Sequence, residues 1–263
     1  MNLIEGSTDD NVPFVARAAS RPNAPVIAVW HLMDPPATPA AMAAALPLAG
    51  LDASVVYLGL PLTGARAVYA DFEQMLASGT DMVTDFFGPM HEQALAEYPQ
   101  AIADVRRRLG VTDAAPLGLL GGSAGASIAA EVLTTHGATA AVLVNPMLRL
   151  RPMIDATAPF LPEPYAWTPA ADAIAERMDF IARAPELAAS GAPILLIEGG
   201  SDEPAFLDAT REFETLGIGE VRYVEGVEHP LAEWPGLEPA PQIEAAKTYD
   251  RLAVEFFTKA FSG

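Results

Sequence analysis

A glycine-rich pentapeptide, residues 121–125, constrains the fold of this chain more than any other feature. It reads Gly-Gly-Ser-Ala-Gly and lies between an apolar run, residues 116–120, and a run with a helical pattern. The order of strand, G-x-S-x-G and helix is typical of a sharp turn that exposes the serine hydroxyl. Because the strand end and the helix start crowd each other there, a Cβ atom at Gly121 or Gly125 would clash. The pattern therefore predicts a strand–turn–helix unit with Ser123 as a nucleophile.

Six short apolar runs predict buried strands. Each is rich in branched residues and is bounded by Gly, Pro, Asn or Asp. They cover residues 25–30, 54–58, 116–120, 140–144, 193–197 and 221–224. Continuous apolar strands indicate burial on both faces, which is typical of a parallel sheet covered by helices. Residues 12–16 predict one more strand, antiparallel and at the edge of the sheet.

Helical patterns alternate with these strands and predict a doubly wound α/β domain. Two of the predicted helices end at a glycine, Gly110 or Gly217, which is typical of a helix C-terminus. The predicted helices cover residues 39–46, 91–109, 124–135, 204–216 and 242–261.

One segment, residues 147–191, interrupts this alternation, because about 45 residues separate two strands where a short connection is usual. We expect helices at residues 170–183 and 185–189 within it. We interpret the segment as a helical cap over the reactive serine; a surface insertion without substrate contact is the alternative. The predicted division is a core of residues 1–146 and 192–263 with a cap of residues 147–191.

A serine hydroxyl needs a neighbouring base and an acid that orients the base. In an open parallel sheet such groups lie beyond the carboxyl ends of the strands. Asp202 lies on a glycine-rich turn past one predicted strand, and His229 follows the last predicted strand. The chain order Ser123, Asp202, His229 is the one expected for a nucleophile on such a turn. Glu203 and Glu198 are the alternatives to Asp202 as the acid.

The serine turn, the acid turn and the late histidine together resemble the α/β-hydrolase superfamily. The resemblance extends from about residue 12 to the C-terminus, apart from the predicted cap. It implies an α/β, doubly wound, mostly parallel sheet, the α/β-hydrolase fold, with a helical cap insertion. It also implies that Ser123 attacks a carbonyl carbon, that His229 takes the serine proton and that Asp202 fixes the imidazole. No cofactor and no metal are expected.

An oxyanion hole beside the serine needs two backbone N–H donors. We expect one from Ala124, at a helix N-terminus whose dipole also helps. The other is expected from the loop after Trp30, which reads His31-Leu32-Met33, and both Leu32 and Met33 are candidates. Many relatives have glycine where this chain has Leu32. The difference argues against the HGGG-type esterases and predicts a narrower entrance to the hole.

Three residues are candidates for contact with the substrate. Trp234 is the strongest, because it lies five residues after His229. Trp167, in the predicted cap, is the second, and simple packing is the alternative for both tryptophans. His31 is the third, although we favour a structural role for it behind the oxyanion loop.

The charge of the chain bears on its partners. Its 34 acidic and 15 basic residues give a formal net charge of −19. Such a field disfavours nucleic acid and anionic membranes, so we expect a small-molecule substrate and leave a homodimer open. The chain has no cysteine, which excludes disulfides and thiolate catalysis. We see no secretory signal and no run that could span a bilayer, and therefore expect a cytoplasmic protein.

These observations predict a serine hydrolase that cleaves an uncharged carboxylic ester through an acyl-enzyme intermediate. A thioester, a lactone, or an amide or peptide bond is the first alternative, since all of them pass through a tetrahedral oxyanion. The negative charge of the chain argues against coenzyme-A thioesters. The second alternative is a non-catalytic, ligand-binding homologue that keeps the fold.

Overall fold

The computed structural model describes residues 3–161 and 163–262, so the predicted core's residues 1, 2 and 263 and the predicted cap's residue 162 lie outside the described part. Within it, eight strands form one sheet. The strands are β1 (Ile4–Ser7), β2 (Pro13–Arg17), β3 (Val26–Trp30), β4 (Ser54–Leu58), β5 (Leu117–Gly122), β6 (Ala140–Val144), β7 (Ile194–Gly199) and β8 (Glu220–Val224). Their order across the sheet is β1-β2-β4-β3-β5-β6-β7-β8.

Strands β3 to β8 run parallel to one another. Their carboxyl ends therefore meet at one edge of the sheet, which we call the carboxyl edge. Strands β3, β4, β6 and β7 are buried along their whole length, as predicted from their apolar runs. Strand β8 is instead mostly exposed, because it forms one side edge of the sheet.

The side of the sheet formed by the first two strands, β1 and β2, differs from the prediction. Strand β2 is antiparallel to β4, as expected for residues 12–16, but it does not lie at the edge. Strand β1 pairs antiparallel outside it. The sequence of β1, Ile-Glu-Gly-Ser, is exposed throughout and has no apolar run, so the pattern that identified the other strands is absent from it.

Helices cover both faces of the sheet. They are α1 (Pro39–Ala45), α2 (Phe72–Ala77), α3 (Gly88–Leu109), α4 (Ala124–His136), α5 (Leu150–Ala156), α6 (Pro169–Arg177), α7 (Ala184–Ala189), α8 (Pro204–Leu216) and α9 (Glu244–Ala260). A π-helix, Met82–Phe87, runs directly into α3. Gly110 and Gly217 follow α3 and α8 with φ angles of 68° and 66°, which confirms both predicted C-terminal caps. None of the described helices combines the length and apolar character needed to cross a bilayer.

Two apolar cores lie on opposite faces of the sheet. One contains side chains of α3, α4 and α8, such as Tyr98, Ile128 and Phe213. The other contains side chains of α1 and α9, such as Met42 and Phe257. Burial of each large apolar side chain contributes about 1.5–3 kcal/mol. The two cores hold the sheet rigid and so fix the positions of the loops at its carboxyl edge.

The predicted cap, residues 147–191, is only partly separate from the core. It contains α5, α6 and α7, but Leu148, Phe180 and Leu187 belong to the apolar core beneath. The helix predicted for residues 170–183 ends early, at Arg177. The carboxylate of Asp179 accepts hydrogen bonds from the backbone amides of residues 181 and 182 at 3.1 and 2.9 Å and turns the chain inward.

Candidate active site

Ser123 forms a strained turn between β5 and α4. Its φ of 50° and ψ of −119° lie in a region that residues other than glycine rarely adopt. A Cβ atom on Gly121 would overlap the carbonyl group of Gly125, and one on Gly125 would lie 2.5 Å from the carbonyl oxygen of His31. The predicted steric need for both glycines is therefore confirmed. The Ser123 amide donates to the Val144 carbonyl at 2.9 Å, which ties the turn to the end of β6.

A chain of hydrogen bonds links the serine to an imidazole and a carboxylate. The hydroxyl of Ser123 lies 2.9 Å from His229 Nε2. On the other side of the ring, His229 Nδ1 lies 2.8 and 3.0 Å from the two carboxylate oxygens of Asp202. Because a carboxylate only accepts, Nδ1 carries the proton and Nε2 is left to accept from the serine. The structure thus brings together the three residues singled out in the sequence, and all three are buried.

A tight turn after β7 presents Asp202 to the loop that follows β8 and contains His229, which we call the histidine loop. The Ser201 amide donates to the Val227 carbonyl at 2.9 Å, and a Cβ atom on Gly199 would overlap that same carbonyl. Glu203, an alternative acid in the sequence, is exposed to solvent. Its backbone N–H instead donates to Asp202 Oδ1 at 2.6 Å. The turn therefore orients the Asp202 carboxylate toward His229.

Asn145, directly after β6, holds the histidine loop in place. It is not among the residues predicted from the sequence. Its amide nitrogen donates to the His229 carbonyl at 2.7 Å. Its amide oxygen accepts from the Gly199 backbone N–H at 3.0 Å and from the Tyr249 hydroxyl at 2.8 Å. The available signal was a polar residue directly after β6, at the same edge as Ser123 and Asp202. One fully buried side chain thus connects β6, β7, α9 and the histidine loop.

Glu198, the other alternative acid, lies at the end of β7 and is completely buried. Its Oε2 accepts a hydrogen bond from the Thr210 hydroxyl at 2.6 Å, while Oε1 has no partner among the described residues. Burial, with interaction with Asp202 as the next cause, raises the pKa of Glu198 to about 9. Glu198 is therefore protonated at neutral pH and leaves the negative charge of the pair on Asp202.

A cavity of about 630 Å³ opens above Ser123 and Ala124. A second hollow of about 360 Å³ shares Met33, Phe87 and Leu237 with it, so the two lie side by side. The lining is mainly apolar, which suits an uncharged organic group.

Two segments form the walls of this cavity. The predicted cap contributes Met153 among others, and the segment between β4 and α3 contributes Met82 and Phe87. The Tyr165 hydroxyl joins the two walls, because it donates to the Asp81 carboxylate at 2.7 Å. The wall formed by the segment before α3 was not predicted from the sequence.

Comparison with known proteins addresses the fold. No protein-family model matches the chain, and no curated protein matches it. Solved structures are similar: Thermus thermophilus TT1662 has a TM-score of 0.64 at 16% identity, with 100% of both chains covered. A highly thermostable carboxyl esterase from Bacillus coagulans has a TM-score of 0.58 at 12% identity, with 98% of both chains covered. Pyrococcus horikoshii acylaminoacyl peptidase has a TM-score of 0.60 at 15% identity, over 98% of this chain and 41% of the peptidase.

This chain has the α/β-hydrolase fold. The similarity to these structures extends over 100% and 98% of the chain for the first two. The mostly parallel sheet and the strand–turn–helix unit at Ser123 are consistent with it. The fold expected from the sequence is therefore confirmed.

In this α/β-hydrolase fold, the candidate oxyanion donors predicted from the sequence lie on two backbone segments. Ala124 is the first residue of α4, so its N–H is one of the four that an α-helix leaves without an internal acceptor. On the loop after β3, Met33 lines the cavity together with Ser123. Leu32 is fully buried and does not line it. Of the two candidates for the second donor, Met33 therefore lies nearer the reacting side.

His31 does not contact the cavity, which corrects its inclusion among the substrate-binding candidates. It is 1% exposed, and its Nε2 accepts from the Leu60 amide at 3.1 Å. Its Nδ1 donates to the Leu32 carbonyl at 2.5 Å. Burial lowers the pKa of His31 to about 4 and keeps the ring neutral. His31 therefore holds the loop after β3 against the loop after β4, the structural role favoured in the sequence.

The two tryptophans differ in their placement. Trp234 lines the cavity and is 69% exposed, so it stays a candidate for contact with substrate. Trp167 is not among the residues that line the cavity, so the structure adds no support for its predicted contact with substrate. Its indole N–H donates to Asp155 at 2.9 Å, and the guanidinium of Arg151 lies 3.8 Å from the ring centroid. These contacts hold Trp167 against α5.

Two further side chains face the imidazole of His229. The ring of Phe206, in the first turn of α8, lies 4.2 Å from it, centroid to centroid. Asp34 Oδ2 lies 3.8 Å from Nε2, on the side where the serine hydroxyl is also found. Burial raises the pKa of Asp34; His229 opposes the rise and Asp202 adds to it. Among the described residues, no group of three or more His, Cys, Asp or Glu side chains is arranged to hold a metal ion.

Proposed function

We propose that this protein is a serine hydrolase that cleaves a carboxylic ester through an acyl-enzyme intermediate. The hydrogen-bonded chain from Ser123 through His229 to Asp202, on the floor of an apolar cavity, carries the proposal. The carboxyl esterase and the acylaminoacyl peptidase of similar fold support the same reaction class.

Acylation begins when Ser123 Oγ attacks the ester carbonyl carbon and its proton passes to His229 Nε2. The resulting oxyanion accepts hydrogen bonds from the N–H groups of Ala124 and Met33. The bond to the leaving alcohol then breaks, and the alcohol oxygen takes the proton from Nε2. Asp202 remains ionised throughout and stabilises the imidazolium that forms.

Deacylation repeats these steps with water. His229 Nε2 takes a proton from a water molecule as the water oxygen attacks the acyl carbon. The tetrahedral intermediate collapses, and the proton on Nε2 returns to Ser123 Oγ as the carboxylic acid leaves.

The cavity supports a substrate without negative charge. Its ionisable lining residues, Asp34 and Asp71, are both acidic. An anionic acyl or alcohol group would be repelled by them. We also propose that the predicted cap and the segment between β4 and α3 cover the substrate, because both line the cavity.

Cleavage of an amide or peptide bond is the second candidate function, and the similarity in fold to an acylaminoacyl peptidase supports it. Both substrates use the same chemistry, so the rates on an ester and on the amide of the same acyl group discriminate between them. We expect the ester to be cleaved faster and the amide to be cleaved slowly or not at all.

Labelling with a fluorophosphonate probe tests the reaction class. We expect the probe to modify Ser123, as located by peptide mass spectrometry, and to abolish cleavage of p-nitrophenyl acetate. The variant Ser123→Ala should lose both labelling and cleavage while its melting temperature stays near that of the wild type. Ser127 is buried on α4 and bonds the Ala124 carbonyl at 2.7 Å, so Ser127→Ala is the matched control that keeps labelling. Unchanged turnover in Ser123→Ala would overturn the proposed function.

A further inference from the structure

Asp34 places a carboxylate beside the reacting atoms. Its Oδ2 lies 3.8 Å from His229 Nε2, which is too far for a hydrogen bond. The described residues give the Asp34 carboxylate no hydrogen-bond partner, and its side chain is 44% exposed. Asp34 lines the same cavity as Ser123. It is therefore a carboxylate without a hydrogen-bond partner, close to the point where the scissile bond must lie.

Apart from the His229 imidazole, no described residue of the cavity can place a positive charge against Asp34. No lysine, arginine or histidine belongs to the described residues that line the cavity. The other acidic lining residue, Asp71, already accepts from the Gln74 amide at 2.8 Å as the N-cap of α2. Trp234 lines the same cavity and is exposed there. A carboxylate and an accessible aromatic ring that line one cavity are a combination that suits an organic cation.

The reaction itself develops charge close to Asp34. The imidazolium that forms on His229 attracts the carboxylate at 3.8 Å, whereas the negative charge of the tetrahedral intermediate next to Ser123 is repelled by it. A cation carried by the substrate would offset that repulsion and would lie against the free side of Asp34. An ammonium group meets this need, because it is compact and has donors or methyl groups for the carboxylate and the ring.

We infer that the preferred ester carries an ammonium group close to its scissile carbonyl and that Asp34 binds this group beside Trp234. The inference rests on the proposed function, and it replaces the uncharged ester expected from the sequence with a cationic one. Asp34 is then the specificity-determining residue of the site. The ammonium group belongs either to the acyl half or to the alcohol half of the ester.

Two pairs of esters with matched shapes show whether the ammonium group belongs to the acyl half or to the alcohol half. In the acyl pair, alanine p-nitrophenyl ester is compared with p-nitrophenyl isobutyrate, below the pKa of the amino group. In the alcohol pair, acetylcholine is compared with 3,3-dimethylbutyl acetate. For each pair the ratio of kcat/KM, cationic over neutral, is measured for the wild type, Asp34→Asn and Asp71→Asn. Asp71→Asn removes the same charge from the same cavity and keeps a residue that caps α2.

We expect the wild type to prefer the cationic ester in one of the pairs. Asp34→Asn should lower that preference about tenfold, while Asp71→Asn changes it little. The preference should also fall as salt is added. If Asp34→Asn slows both esters of each pair equally, or if neither pair shows a preference, the inference is wrong. If the inference fails but Ser123 still cleaves the neutral esters, the proposed function is retained. If the protein neither cleaves any ester nor reacts with the fluorophosphonate probe, the proposed function and the inference are both wrong.

Discussion

The side-chain amide of Asn145 donates a hydrogen bond of 2.7 Å to the backbone carbonyl of His229. The two residues are far apart in the sequence, and this contact ties the histidine loop to the end of β6. Asn145 itself has a φ of 40°, a conformation that asparagine tolerates better than most residues. The position of the imidazole therefore depends on a residue that does not line the cavity.

Replacement of Asn145 by alanine should lower both stability and activity. The change leaves the Gly199 N–H and the His229 carbonyl buried without partners, at about 1–3 kcal/mol for each group. We expect the free energy of unfolding in urea to fall by a few kcal/mol and kcat to fall more than KM rises. Tyr249→Phe removes only the hydroxyl that bonds Asn145, so it should cost about 1 kcal/mol. Wild-type stability in Asn145→Ala would contradict the proposed role.

Asp202→Asn should slow ester cleavage by about 10⁴-fold, because the amide no longer fixes the tautomer that leaves Nε2 free to accept. The measurement is kcat/KM on p-nitrophenyl acetate, with a thermal unfolding curve for each variant. Glu203→Gln changes the same charge one residue away, on an exposed side chain, and should keep the wild-type rate. A loss of only a few-fold in Asp202→Asn, or an equal loss in Glu203→Gln, would move the acid role away from Asp202.

Glu198→Gln should change how stability depends on pH. Burial raises the pKa of Glu198 from its ordinary 4.5 to about 9. The folded state therefore holds a proton that the unfolded chain has lost. Its stabilising contribution is complete below about pH 4.5 and is lost as the pH rises toward 9.

The free energy of unfolding should fall with pH across that window, by up to about 1.4 kcal/mol per pH unit from this group. The amide introduced by Glu198→Gln does not titrate, so the difference between variant and wild type should grow steadily in favour of the variant. Urea titrations at several pH values measure it. Glu214→Gln, on the exposed side of α8, is the control and should run parallel to the wild type. A constant offset between Glu198→Gln and the wild type would contradict the raised pKa.

The fold was predictable where one local pattern decided the structure. Buried parallel strands such as β3 and β6 have continuous apolar runs, and helices such as α3 and α8 end at glycine. Strand β1 was not predicted, because pairing with β2 stabilises it without burying an apolar face. The π-helix Met82–Phe87 was not predicted, although its buried side chains, at positions 82, 83, 86 and 87, have the spacing of one face of a helix.

The candidate site was predictable where chain order and strand ends placed a residue, as for Ser123, Asp202 and His229. It was not predictable where distant contacts decide the direction of a side chain. Trp167 is not among the residues that line the cavity, and no spacing rule indicates its contacts with Arg151 and Asp155.

The contact between Gly122 and Leu32 gives a test of the oxyanion loop. Leu32 occupies a position where relatives of the expected family have glycine, and its side chain fills the space next to Gly122. A Cβ atom on Gly122 would overlap Leu32 Cδ1 and lie 2.8 Å from Cγ. Gly122→Ala should therefore destabilise the protein by about 1–3 kcal/mol, since overpacking forces neighbours to shift.

Leu32→Ala should cost about 2–5 kcal/mol through the cavity that it leaves. In the double variant the new methyl group enters that cavity, so the loss of unfolding free energy should be clearly smaller than the sum of the two single losses. Denaturant unfolding of the four proteins measures this coupling. Gly118→Ala is the control for a bulkier β5, because its added Cβ atom would meet Phe257 and not Leu32, and it should combine additively with Leu32→Ala. Strict additivity for Gly122→Ala would mean that Leu32 does not pack there, and the second oxyanion donor would have to be sought in a different loop conformation.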